Sequence, residues 1–200
     1  MQSLFPSEKI LLDLPDAEIS YYPQFFEAVE ADALFIELLE TTFWQQDSIT
    51  VFGKTHPQPR LTALYGNTDK AYTYSNLTME PHPWNPLLQK IKNQIAAVCD
   101  TNFTSVLLNL YRDGKDSNGW HADNEKELGT NPVIASISLG AERAFHLQHN
   151  CDKNRKHKMI LQHGSLLIMK GATQHNWKHQ ISKTAKPINP RINLTFRWIK

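Results

Sequence analysis

Apolar residues recur in this chain with two different periods, and the change from one to the other divides it. Leu34, Phe35, Leu38 and Leu39 are spaced three and four apart and predict a helix over Asp32–Thr41. A second helix is predicted from Asn85. Its amide can cap the first turn, Pro86 takes the first helical position, and Leu87, Leu88, Ile91, Ile95 and Val98 share one face. Between the two, Val51–Ser75 is rich in Gly, Pro, Thr and Tyr and reads as loops and short hairpins. From Ser105 onward the pattern becomes short runs broken by turn residues, including Asp113-Gly114, Leu139-Gly140 and Lys170-Gly171. The predicted strands are Val106–Tyr111, Val133–Leu139, Ala144–Gln148, Lys158–Leu161, Leu166–Met169, Asn176–His179 and Arg191–Trp198. So many short strands predict an α+β, mainly β chain: a sandwich or jelly-roll barrel with the helices packed outside.

A chain of 200 residues makes one domain with a real core, and 40% hydrophobic with 20% charged residues is an ordinary globular composition. No apolar run approaches the ~20 residues that span a bilayer. Acidic and basic residues intersperse the first twenty positions, which argues against a secretory signal. Two cysteines, Cys99 and Cys151, are too few for a disulfide framework. A cytoplasmic setting is expected, nuclear in a eukaryote, with a monomer and no membrane partner.

Net charge is +1, but its distribution is lopsided. Residues 1–50 carry one basic and ten acidic side chains, whereas Arg143–Lys200 holds twelve Lys and Arg against the single acid Asp152. Clustered cations suit an anionic partner such as nucleic acid, and a merely solvated face reads equally well from charge alone.

Chemistry is concentrated at three places. His121-Ala122-Asp123 places an imidazole and a carboxylate on one face of an extended strand, the start of a two-His-one-carboxylate iron site. With nine His and twenty Asp and Glu, about one such pair is expected by chance, so the pair alone decides little. For the third ligand His146, His149, His157 and His163 are available, and His179 on a short strand is favoured, with spacing alone leaving His175 as its rival. Arg191-Ile-Asn193-Leu-Thr195-Phe-Arg197-Trp198 alternates strictly, sending Arg191, Asn193, Thr195 and Arg197 to one face and the apolar set, Trp198 included, to the core. Buried arginines are costly without anions, and a guanidinium fork matches a carboxylate, so a small dicarboxylate is the natural guest. Asn109 and Tyr111 share a face upstream and offer further donors.

Taken in order, Asn109-Leu-Tyr111, His121-Ala-Asp123, His175-Asn-Trp-Lys-His179 and Arg191–Arg197 resemble the AlkB family of Fe(II)/2-oxoglutarate dioxygenases over about Val51–Lys200. Val51-Phe-Gly-Lys54, Pro59-Arg60, Tyr72-Thr-Tyr-Ser75 and His163–Met169 resemble the homologues that repair duplex DNA. The resemblance implies a double-stranded β-helix core over about 105–200, a nucleotide-recognition lid with its supporting helix over about 51–104, and an acidic extension over about 1–50. It implies that His121, Asp123 and His179 hold Fe(II) and are catalytic, with O2 as cosubstrate. Arg191 would bind 2-oxoglutarate, helped by Asn109 and Tyr111, with Asn193, Thr195 and Arg197 lining the same pocket. Phe52, Gly53, Lys54, Arg60, Tyr72, Tyr74, Ser75 and Glu125 would meet the substrate. Phe52 would be a wedge, Tyr74 with His121 a sandwich around the base, and Glu125 its reader if the strand past Asp123 continues. The basic stretch Lys153–Lys158, with Lys183 and Lys186, would meet phosphates. The implied reaction is oxidative demethylation of bases such as 1-methyladenine or 3-methylcytosine in DNA, releasing formaldehyde and succinate. The same chemistry on methylated RNA, and a jelly-roll binding protein without activity, are the competing readings.

Overall fold

The computed structural model describes residues 8–51, 53–67, 72–74 and 77–199. In chain order the elements begin with β1 (Ile10–Leu12), β2 (Glu18–Tyr22), α1 (Ala28–Thr41), β3 (Ser48–Val51) and β4 (Lys54–Pro57). Then come β5 (Leu61–Gly66), β6 (Tyr72–Tyr74), β7 (Leu77–Met79), β8 (His82–Pro83), α2 (Pro86–Cys99) and β9 (Ser105–Tyr111). The C-terminal half holds β10 (Asn118–His121), a 3₁₀ turn at Lys126–Leu128, β11 (Ile134–Gly140), β12 (Arg143–His149) and β13 (Lys156–Leu161). It ends with β14 (Ser165–Lys170), the one-turn α3 (Thr173–Asn176), β15 (Trp177–Ile181) and β16 (Arg191–Arg197).

Two sheets form the body. The larger has the order β1-β2-β14-β11-β16-β9-β5-β8, the smaller β10-β15-β12-β13. They face one another as a jelly roll, and the alternation of β9 and β16 shows why. Val106, Leu108 and Leu110 of β9, with Ile192, Leu194 and Phe196 of β16, point outward from the larger sheet. There they meet Leu34 and Leu38 of α1 and Leu88, Ile91 and Ile95 of α2. Leu107 points the other way and packs with Phe145, Leu147, Leu161 and Ile181 of the smaller sheet. The polar residues Asn109, Arg191, Asn193, Thr195 and Arg197 share this inner side. Both faces of β9 and β16 are therefore buried, and a period-two pattern of apolar and polar residues survives because the inner face is a site rather than solvent.

All seven predicted strands form, with ends shifted by one or two residues. One departure matters. β16 stops at Arg197, and Trp198, predicted to be core, is 44% exposed. The first helix begins four residues before the predicted start, at Ala28, because Ala31 buries completely against the sheet and extends the apolar face. Asn85 caps α2 as expected, its Oδ1 accepting from Leu88 N at 2.8 Å. Four strands of the larger sheet were not apparent, β1, β2, β5 and β8: β2 pairs with β14, and β5, in the stretch read as loops and hairpins, pairs with β9. The sheet thus draws strands from all three sequence regions. Two short hairpins precede α2, β3–β4 pairing Val51 with Lys54 and β6–β7 pairing Tyr74 with Leu77. Gly53 sits between the first pair at φ +76°, a left-handed conformation that glycine adopts without strain. Among the described residues no helix is long and apolar enough to cross a membrane.

Candidate functional site

β10 carries His121 at its last position and β15 carries His179 directly opposite, since the two residues are register partners. Their rings lie 4.3 Å apart. Asp123 is in the bend beyond β10, where its backbone N–H donates to Gln174 Oε1 at 2.9 Å. The predicted continuation of an extended strand through His121, Asp123 and Glu125 does not occur. β10 ends at His121, and Glu125 instead precedes the 3₁₀ turn. The bend still brings the carboxylate home: ligand-capable atoms of His121, Asp123 and His179 all lie within 4.8 Å of one another. His175, the rival candidate, is exposed on α3.

Electrostatics prepare these groups for a cation. Asp123 is 2% exposed, and burial pushes its pKa up. The charge of Arg197 leads the effects, its hydrogen bond among them, that outweigh that and hold it down at about 2. Arg197 Nη2 donates to Asp123 Oδ1 at 2.7 Å. Burial, and then the charge of His121, push the His179 pKa down to about 3, so its imidazole is neutral and has a lone pair to give. Burial also lowers the pKa of His121. His121 Nδ1 lies 2.7 Å from Gly119 O, a contact that an N–H on Nδ1 satisfies, which leaves Nε2 as the lone-pair nitrogen. Two neutral imidazoles and one ionised carboxylate on one side of a cavity fit the donor set that Fe(II) takes in a facial triad.

The same cavity holds the predicted dicarboxylate ligands. Arg191 is 1% exposed, and burial lowers its pKa only to about 10, so it stays cationic at neutral pH. Its Nη2 donates to Ser138 Oγ at 2.8 Å, and its guanidinium lies 5.2 Å from the centre of the Tyr111 ring. Among the described residues Nε and Nη1 are buried without a well-directed hydrogen bond, and the Tyr111 side chain lies beside the guanidinium. A buried guanidinium fork with two such donors fits a carboxylate guest. Asn193 donates to Ser136 Oγ at 2.7 Å and accepts from Thr195 Oγ1 at 3.0 Å.

Arg60 lies elsewhere than the predicted nucleic-acid contact. It is 4% exposed, and its Nε donates to Asn109 Oδ1 at 2.7 Å, so its guanidinium positions a cavity residue. Lys54 is exposed beside Gly53 on the β3–β4 hairpin. Tyr72 and Tyr74 are on β6, whose backbone alone is described, and Phe52 and Ser75 lie outside the described residues.

Several site residues escaped the sequence reading. Ser136 and Ser138 sit on β11, whose residues face β16 in register at Thr195 and Asn193, and their alternation within Ile134–Gly140 was the available signal. Arg143 gives none. Its guanidinium lies 5.6 Å from the Tyr111 ring centre and donates to the carbonyls of Asp113, Asp116 and Ser182. A groove of about 1170 Å³ between α1 and residues 184–190 contains none of the triad.

Fold and site agree with the comparisons to known proteins. Residues 18–197 match the 2OG-Fe(II) oxygenase superfamily, and the chain belongs to it and, within it, to the AlkB family. It is 43% identical over 192 residues to human alpha-ketoglutarate-dependent dioxygenase alkB homolog 3, a match covering 92% of this chain and 66% of that protein. It is 38% identical over 188 residues to human DNA oxidative demethylase ALKBH2, covering 89% and 72%. The chain spans 64–66% of the length of the human and bovine alkB homolog 3 proteins. The solved structure of OsALKBH1 shares the fold with a TM-score of 0.66 at 19% identity, covering 94% of this chain and all of that one. Membership implies Fe(II), 2-oxoglutarate and O2 as the reactive set.

Proposed function

We propose that this protein removes methyl groups from alkylated bases in DNA, of the 1-methyladenine and 3-methylcytosine type, by oxidation coupled to 2-oxoglutarate decarboxylation. The observation that carries the reading is the convergence, in one cavity, of His121, Asp123 and His179 with a buried Arg191 that has donors to spare. The names of the human relatives, a dioxygenase dependent on alpha-ketoglutarate and a DNA oxidative demethylase, point the same way. Fe(II) bound by the triad, with 2-oxoglutarate and O2, supplies the hydroxylation of the methyl carbon. The hemiaminal left on the base nitrogen breaks down to formaldehyde and the restored base.

The chain's own residues bind and orient. Gly119 O fixes the His121 tautomer, and Arg197 keeps Asp123 ionised. Arg191 takes the distal carboxylate of 2-oxoglutarate beside Tyr111, with Asn109 held by Arg60. A methyl on the pairing edge is unreachable in a stacked duplex, so the nucleotide must leave the stack. In this reading Phe52 wedges into the gap. Tyr72, Tyr74 and Ser75 cover the base, Gly53 and Lys54 meet the strand, and Glu125 accepts from the exocyclic amine.

The test is release of formaldehyde and succinate from methylated duplex DNA, single-stranded DNA and RNA, with Fe(II) and 2-oxoglutarate supplied. Turnover on DNA above RNA is expected, the reverse order moves the substrate to RNA, and silence on all three removes the enzymatic reading. Phe52→Ala is expected to slow duplex turnover more than single-strand turnover, and equal losses would remove the wedge.

A further inference from the structure

The four strands of the smaller sheet contain no acidic residue: Asn118–His121, Arg143–His149, Lys156–Leu161 and Trp177–Ile181. Their inner face closes the site. Their outer face is polar, because β12 alternates buried Phe145, Leu147 and His149 with half-buried Ala144, His146 and Gln148. Register places Gln148 between Lys156 of β13 and Lys178 of β15, and His146 between Lys158 and Gln180. Lys156 and Lys158 are exposed, and none of the three lysines has an ion-pair partner among the described residues. They are spaced by the lattice of the sheet, about 6.6 Å along β13 and about 10 Å from β13 to β15.

At the edge of this face stands Trp120, 41% exposed, with Lys178 Nζ 5.6 Å from its ring centre. The register of β10 against β15 shifts between Asn118 and His121, an irregularity that re-aims side chains at a sheet edge. Its neighbour His121 points to the triad, so one residue step separates the inner site from the outer face. Trp120, His146, Lys156 and Lys158 line a groove of about 470 Å³.

We infer that this outer face is a second nucleic-acid contact surface, on which Trp120 stacks an unpaired base while Lys156, Lys158 and Lys178 meet the phosphates of the strand flanking the target nucleotide. The inference rests on the demethylase reading above. It goes past it by placing a single-strand platform on the far side of the sheet, away from the base pocket. A stacking ring beside unpaired cations on a sheet is the chemistry of sequence-tolerant single-strand binding, whereas a duplex has no free base face to offer. The lack of carboxylates on all four strands favours a polyanion over an acid-tolerant partner.

The experiment measures binding and turnover on singly methylated single-stranded DNA, as a trinucleotide and as a 15-mer, for the full chain and two variants. Trp120→Ala is expected to weaken 15-mer binding about 10-fold while changing the trinucleotide KM less than 2-fold. Lys156→Gln combined with Lys158→Gln and Lys178→Gln is expected to flatten the slope of log K against log salt by about 2. Variants indistinguishable from the parent on the 15-mer, or equally impaired on both lengths, overturn the surface and leave the demethylase reading standing. A parent that binds the 15-mer with these sensitivities but yields no formaldehyde overturns the demethylase reading and keeps the surface. A parent that binds neither overturns both.

Discussion

Arg197 and Arg191 stand at opposite ends of one strand and answer different charges. Arg191 donates to the neutral Ser138 hydroxyl beside Tyr111, whereas Arg197 is committed to Asp123 at 2.7 Å, with both partners nearly inaccessible. Removing one member of such a pair leaves the other charged and buried, a loss of roughly 3–5 kcal/mol. Arg197→Met is therefore expected to destabilise the metal-free protein by about that amount, measured by denaturant unfolding. The pH dependence follows in sign. Asp123, depressed to about 2, contributes stability that is fully present above the unfolded pKa of about 3.9 and is lost as pH falls toward 2. Without Arg197 that carboxyl takes a proton at higher pH in the folded state, so the variant's deficit is expected to be largest near neutral pH and to shrink as pH falls toward 2, read by denaturant unfolding across that range.

At the scale of elements, the outcome turned on which local signals were self-sufficient. Asn85, Pro86 and the Leu88–Ile91–Ile95 stripe are read within one helix, and α2 forms where they indicate. Asn85→Ala is expected to cost about 1 kcal/mol and lower Tm by about 2–4 °C, read by calorimetry; no change would mean the cap bond is replaced by water. Strands behaved differently. β9 and β16 were legible because their polar and apolar positions alternate strictly. β5 was hidden because both its faces are buried and it reads as an undifferentiated run beside Gly and Pro. β10 ends before Asp123, and no local pattern marks that a bend, held by Gln174 from α3, completes the triad.

For the whole molecule, the charge asymmetry becomes an arrangement in layers. α1, with four acids and no basic residue, lies on the outer side of the larger sheet, and the acid-free smaller sheet lies across the cavity from it. The cavity holds the ligands from β10, β15 and the bend between rigid sheets, so a divalent cation should bind the folded chain and not the unfolded one. Mn2+, used in place of Fe(II) to avoid oxidation, is expected to raise Tm in proportion to the logarithm of its concentration; EDTA should reverse the rise and Asp123→Ala abolish it. A rise undiminished in Asp123→Ala would place the cation elsewhere. Composition, period and motif order were enough to determine a mainly β chain, its two helices and the polar face of β16, because each depends on neighbours close in sequence. Only the tertiary structure decided that a bend brings Asp123 between His121 and His179, that Arg60 turns inward to Asn109, and that the edge strands of the larger sheet come from the N-terminal half. Those outcomes depend on pairing between segments as far apart as Glu18 and Lys170, whose register is chosen by burial of the assembled sheets and not by any one segment.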